Sequence, residues 1–128
     1  MSRPLASDRL VRATLWISVP FNLLVAVMLL FPASRIGALL DLPTPVPPLY
    51  AALSSMFVAA FGLLYAWMPL QKSLNREMLA FVSLCKTAAF LAALSLWLSG
   101  LGSGMLALAA VGDLVFAAIW MRWLLLTR

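Results

Sequence analysis

The sequence predicts an all-α integral membrane protein, folded as one antiparallel, up-and-down bundle of four helices. Three observations predict this fold class: 65% of the 128 residues are hydrophobic, only 10% are charged, and four long apolar stretches are joined by short connections. A soluble domain has roughly 45–50% apolar and about 25% charged residues, so this chain lacks the polar side chains that a water-facing exterior needs. We therefore expect a single membrane domain over residues 1–128 with the lipid bilayer as its partner.

Each predicted span matches the length of about 20 apolar residues that a helix needs to cross the hydrocarbon core. The spans cover residues 14–31, 49–70, 79–99 and 105–125. A cleaved signal peptide is the alternative for the first of them. Its apolar run exceeds the roughly 7–15 residues usual in signal peptides, and the segment 31–34 is a poor small-residue cleavage site. We expect an uncleaved span.

Basic residues flank the spans unequally, and this asymmetry predicts the orientation because Lys and Arg stay on the cytoplasmic side. One side carries most of them, namely Arg3, Arg9, Arg12, Lys72, Arg76, Arg122 and Arg128. The other side carries only Arg35. Both termini are therefore predicted to be cytoplasmic, in the inner (plasma) membrane. Indole rings near the same ends are expected at the headgroup level, at Trp16, Trp67, Trp120 and Trp123.

The connection over residues 32–48 is the longest, and its prolines from Pro43 onward cannot continue a helix interior. We interpret it as a stiff linker whose Pro47 and Pro48 start the second span. Residues 34–40 alternatively form a short amphipathic turn in the outer interface, and a lid over a site is a third interpretation. The glycine-rich segment 100–104 is a short hairpin, which predicts that the third and fourth spans are antiparallel neighbours.

Besides Arg122 at the cytoplasmic end of the fourth span, two charged residues lie deep inside the predicted spans, where a bilayer makes charge costly. Lys86 is in the third span and Asp113 is near the middle of the fourth, and each costs about 2.5–3.5 kcal/mol at a helix centre. In a hairpin centred on Gly102, residues equally distant from Gly102 lie at equal depth, so Asp113 is level with Leu91. Lys86 lies five residues from Leu91, a difference in depth of roughly 7–8 Å that a lysine side chain can largely span. The pair is either a lock for helix register or a protonatable, ligand-binding centre.

Two further polar side chains are predicted at a similar depth. Asn22 lies at the centre of the first span beside Pro20, and Tyr65 lies in the second span, three residues beyond Gly62. Such residues usually form hydrogen bonds between helices. Together with Lys86 and Asp113 they form one candidate intramembrane polar centre, with one contributor from each helix.

Composition argues against several function classes. Without histidine and with Cys85 as the one cysteine, the sequence predicts no metal site, no cofactor and no disulfide exchange. Ser83 lies three residues before Lys86, but no oxyanion feature accompanies a Ser–Lys pair, so we do not expect an enzyme. The net charge of +5 is spread beside the spans rather than along a basic stripe, which argues against a nucleic-acid partner.

The arrangement resembles small bacterial four-helix membrane proteins of DoxX-like type, on the basis of Gly112-Asp113 in the last span and Lys86 in the third. That resemblance implies a fold more than an activity. The favoured function is an accessory or small-ligand-binding component whose Lys86–Asp113 centre binds a polar headgroup of a small amphipathic ligand, or a partner membrane protein. One alternative is a proton-coupled transporter acting as a homodimer. The other is a purely structural subunit.

Overall fold

A computed structural model describes residues 6–127, and every regular element within that range is helical. The helices are α1 (Ala6–Leu30), α2 (Arg35–Leu39), α3 (Pro48–Trp67), α4 (Arg76–Leu98) and α5 (Gly104–Leu126), with a 3-10 turn at Met68–Leu70 after α3. Four of them, all except α2, are long and apolar enough to cross a bilayer. This agrees with the all-helical, multi-pass architecture expected from the sequence.

The helix ends follow from local chemistry. Asn75 accepts a hydrogen bond from Met78 N at 2.9 Å, and Ser103 accepts one from Leu106 N at 3.0 Å, so each caps the helix that follows it. Pro48 opens α3, where a missing backbone N–H costs nothing. Helix α1 starts well before the apolar run because its polar first turns, which include Arg9 and Arg12, also favour helix.

The helices pack mainly in two pairs, α1 with α3 and α4 with α5, and α1 also contacts α5. The buried core lies near the start of α1 and α4 and the end of α3 and α5. It comprises Val11, Leu15, Tyr65, Met68, Leu74, Leu79, Val82, Trp120 and Trp123. Elsewhere large apolar side chains such as Leu63, Leu84 and Leu108 face outward, as a surrounding of lipid permits.

Trp120 differs from the expectation that its ring lies among headgroups. Its exposed fraction is 0%, and its indole N–H donates to Thr14 Oγ1 at 2.9 Å. The ring also packs against Tyr65 and Phe116, with centroid distances of 5.5 and 5.9 Å. Thr14 supplies the polar partner that a headgroup would otherwise supply, so Trp120 belongs to the core.

Two of the arginines predicted to set orientation also connect chain segments. Arg12 donates to the carbonyl oxygens of Pro69, Gln71 and Lys72, the last two at 2.9 and 3.2 Å. Arg76 donates to Leu124 O and Thr127 O, both at 2.8 Å. The start of α1, the segment between α3 and α4, and the end of α5 therefore contact one another. The predicted flanking residues Arg3 and Arg128 lie outside the described residues.

We expect Arg12→Ala to lower the free energy of unfolding by about 1–2 kcal/mol, because three backbone carbonyls lose a charged donor at a partly solvated site. Arg9→Ala is the matched control, because it removes the same charge from an exposed position on the same helix. Titration with a denaturing detergent measures both. Equal destabilisation by the two variants would contradict the specific role of Arg12.

Candidate functional site

Lys86 and Asp113 are in direct contact. Lys86 projects from α4 and Asp113 from α5, and Lys86 Nζ lies 2.5 Å from Asp113 Oδ1. The two side chains differ in accessibility, with exposed fractions of 4% for Lys86 and 18% for Asp113. The ammonium is therefore enclosed by protein, and the carboxylate is the part of the pair that another molecule can reach.

Asn22 links this pair to the first two long helices. Its Oδ1 accepts a hydrogen bond from Lys86 Nζ at 3.2 Å, and its Nδ2 donates to Val58 O of α3 at 3.2 Å. Gly62 of α3 lies against Asn22 at this level, since a Cβ at Gly62 would be in ordinary van der Waals contact with Asn22 Cβ, at 3.4 Å. The amide therefore connects three helices through two hydrogen bonds.

Three aromatic rings surround the ammonium group. Lys86 Nζ lies 4.9 Å from the ring centroid of Tyr65 and 5.3 Å from those of Phe21 and Phe116. The negative faces of such rings attract a cation, most strongly where water is absent. With two hydrogen bonds and three rings around it, Lys86 has little capacity left for a further partner.

Two polar groups at the site remain open. Lys86 donates to Oδ1 of Asp113, whereas Oδ2 has no hydrogen-bond partner among residues 6–127. The Tyr65 hydroxyl likewise has no hydrogen-bond partner within the described part of the chain, and since no buried side-chain oxygen lacks a partner, it is accessible from the cavity. Asp113 Oδ2 can accept a hydrogen bond, and a phenol can donate one. The site therefore offers one acceptor and one donor to a further molecule.

A cavity of about 260 Å³ lies between the helices at these groups. The four residues predicted from the sequence, Asn22, Tyr65, Lys86 and Asp113, all line it. Its remaining walls are apolar apart from Cys85, and they include Phe57 and Phe61. A small apolar cavity with a few convergent polar groups is the usual form of a ligand site.

The roles of Phe21 and Phe116 were missed in the sequence. Phe116 is three residues after Asp113 and so shares its helix face, which is a spacing that a search could use. Phe21 reaches the pair because Gly112 leaves room, since a Cβ there would lie 3.1 Å from Phe21 Cε2. The glycine before Asp113 thus has a packing role, as small residues inside membrane helices commonly do.

Ser83 is not arranged as a nucleophile activated by Lys86. Its hydroxyl donates to Leu79 O at 2.6 Å, and the hydrogen bonds of Lys86 go to Asn22 and Asp113. The chemistry that this site supports is recognition of a polar group by hydrogen bonding in an apolar surrounding.

Comparison of the chain with models of known protein families, with curated proteins and with solved structures finds no match.

Proposed function

We propose that the protein is a small inner-membrane component that binds the polar head of an amphipathic ligand at the centre that Lys86 and Asp113 form, with Asp113 as the residue that contacts the ligand. In this proposal its four spans are antiparallel and both termini are cytoplasmic. It acts as an accessory protein, presenting or holding its ligand for a partner. Its membership of the DoxX-like group stays a prediction from the sequence.

One observation carries the binding proposal: Asp113 Oδ2 and the Tyr65 hydroxyl have no hydrogen-bond partner in residues 6–127, yet both belong to residues that line the same cavity. A pair that only locks helix register gains nothing from an adjoining cavity or from an open acceptor. No buried side-chain nitrogen or oxygen of the described residues lacks a partner, so these two oxygens are accessible to a molecule in the cavity. A ligand with a polar head can form hydrogen bonds with both of them.

The orientation draws support from the contacts between chain segments. Arg12 contacts the segment that carries Lys72, and Arg76 contacts the end of α5. These basic residues thus belong to segments that touch, and positive charge is retained on the cytoplasmic side of a membrane. Fusion of a reporter that is active only in the cytoplasm to the C-terminus tests the orientation, and an inactive reporter would contradict it.

The binding proposal predicts that an amphipathic molecule co-purifies with the protein. The chain is extracted with its surrounding lipid in polymer-bounded discs, and the organic extract is compared by mass spectrometry with bulk membrane lipid. We expect enrichment of at least about tenfold, since a charge-assisted hydrogen bond in an apolar site supplies that factor. The double variant Lys86→Met/Asp113→Leu, which leaves neither charge unpaired, should lose the enrichment.

Tyr65→Phe is the conservative companion to this variant because it removes only the open hydroxyl and keeps the ring beside Lys86. We expect it to reduce the enrichment while leaving thermal stability near that of the unaltered chain. If the double variant is stable and retains the same extracted molecules in the same amounts, the pair is structural and the binding proposal is wrong.

A further inference from the structure

A second cavity that is also lined by Asp113 bears on the chemical class of the ligand. It is an apolar groove of about 410 Å³ between α1, α2 and α5. Its volume is within the range of about 300–1,000 Å³ that is typical of small-molecule sites. The groove shares Phe21, Val25 and Asp113 with the cavity of about 260 Å³ described above. Asp113 is therefore the charged residue at the junction of the two spaces.

The groove has the shape and lining suited to a hydrocarbon chain. Along α5 it extends from Met105 to Asp113, a length of roughly 12 Å at the rise of an α-helix. Its α5 floor includes the small side chains Ala109 and Ala110, and Asp113 is its one charged lining residue. A polar molecule finds no hydrogen-bond partner along most of this length, whereas an alkyl chain needs none.

Helix α2 forms the outer wall of the groove and is held in place. Ser103 donates to Leu40 O at 2.7 Å, directly after α2, and so ties this wall to the start of α5. At Gly37, an added Cβ would lie 2.1 Å from Pro32 O, so only glycine permits this approach of backbone to backbone. Leu39 and Leu40 from this wall line the groove. These contacts fix α2 as one wall of the groove in this structure.

The charges at the junction select the head of the occupant. Asp113 Oδ2 needs a donor, which excludes an ionised acid because two carboxylates repel each other in an apolar site. An ammonium head would place a second cation beside the one carboxylate that already pairs with Lys86, and so would add a net charge to the membrane interior. A hydroxyl adds no charge, donates to Asp113, and can also accept from a phenol such as Tyr65.

We infer that the ligand is a neutral membrane lipid alcohol, with its chain in the groove beneath α2 and its hydroxyl on Asp113. This inference deepens the proposed function and rests on it. The ammonium of Lys86 fixes the position of the Asp113 carboxylate through its contact with Oδ1, and does not contact the ligand. The charge of the polar head group decides which ligands bind. The apolar groove accepts hydrocarbon chains of different structure.

A matched series of probes tests this assignment. 1-Dodecanol, dodecanoate and dodecylammonium, each with a diazirine at the chain end, are added at equal mole fraction to phosphatidylcholine discs containing the full chain. After illumination, labelled residues are identified by mass spectrometry. We expect 1-dodecanol to label the groove near Leu39 and Met105 about tenfold more than either charged probe. One charge-assisted hydrogen bond is strong enough to give an affinity difference of that size.

Two pairs of variants make the result specific. Ala110→Phe fills the groove and should abolish labelling, whereas Ala118→Phe makes the same change at an exposed position of α5 outside the groove and should not. Lys86→Met/Asp113→Leu should reduce labelling by 1-dodecanol to the level of the charged probes. Thermal unfolding in the same discs confirms that each variant is folded before labelling is compared.

The outcomes separate this inference from the proposed function. If dodecanoate or dodecylammonium labels the groove most strongly and the double variant loses that labelling, the neutral-alcohol assignment is wrong while binding at the centre stands. If no probe labels the groove above the level seen with Ala110→Phe, the groove assignment is wrong, and the extraction experiment alone decides the proposed function.

Discussion

Asp113→Leu should lower the free energy of unfolding by about 3 kcal/mol, because it leaves the Lys86 ammonium buried without a counter-charge. The Lys86 side chain is 4% exposed and keeps only Asn22 and three aromatic rings as partners after the change. Leucine is close to aspartate in size, so the loss reflects charge more than volume. Titration with a denaturing detergent at constant total micelle concentration measures it.

Two comparisons isolate the electrostatic origin of that loss. Lys86→Met/Asp113→Leu removes both charges and should recover stability to within about 1 kcal/mol of the unaltered chain. Glu77→Leu removes an exposed carboxylate from the first turn of α4 and should cost at most about 1 kcal/mol. If the double variant is as unstable as Asp113→Leu alone, side-chain packing rather than charge pairing holds α4 and α5 together at Lys86 and Asp113.

Trp120→Ala should have the other large effect, a loss of about 2–4 kcal/mol, because it opens a cavity in the buried core. The indole is completely buried, donates to Thr14, and packs between Tyr65 and Phe116, two of the rings around Lys86. The loss comes from packing and from the lost hydrogen bond to Thr14, since lipid is as apolar as the core and the hydrophobic effect contributes little. The same detergent titration measures it.

Trp16→Ala is the control for residue type, because Trp16 is about half exposed on α1 and should cost less than about 1 kcal/mol. Trp120→Phe keeps an aromatic ring and removes only the hydrogen bond to Thr14, so we expect a loss of about 1 kcal/mol. If Trp120→Ala is no more destabilising than Trp16→Ala, packing at this end of the helices does not control stability.

The extent to which the site was predictable differs between its parts. The residues Lys86, Asp113, Asn22 and Tyr65 could be selected from the sequence because polar groups are rare and costly inside apolar helices. Their connections could not. The short hairpin between α4 and α5 predicted that Lys86 can reach Asp113. The hydrogen bond from Lys86 to Asn22 depends on how closely α1 approaches, and the absence of a side chain at Gly112 lets Phe21 of α1 come close to α5.

Several residues act differently from what their type suggested. Trp120 was expected among headgroups because tryptophan prefers the interface, yet a threonine on another helix supplies its polar partner. Arg12 was interpreted as an orientation signal, and it also bonds to three carbonyls across the chain. The interpretation of residues 32–48 as a linker omitted the helix over Arg35–Leu39, although the amphipathic turn was considered as an alternative.

The sequence by itself determined that this protein is helical, that four of its helices can cross a bilayer, and which polar residues are costly there. These properties depend on the composition of single segments, because a backbone in lipid must satisfy its own hydrogen bonds within each helix. Only the tertiary structure decided which partners the polar residues have, that Asp113 and Tyr65 retain an open group, and that a groove beneath α2 ends at Asp113. These properties depend on the fit between helices, which small residues far apart in the chain control, and no single segment encodes it.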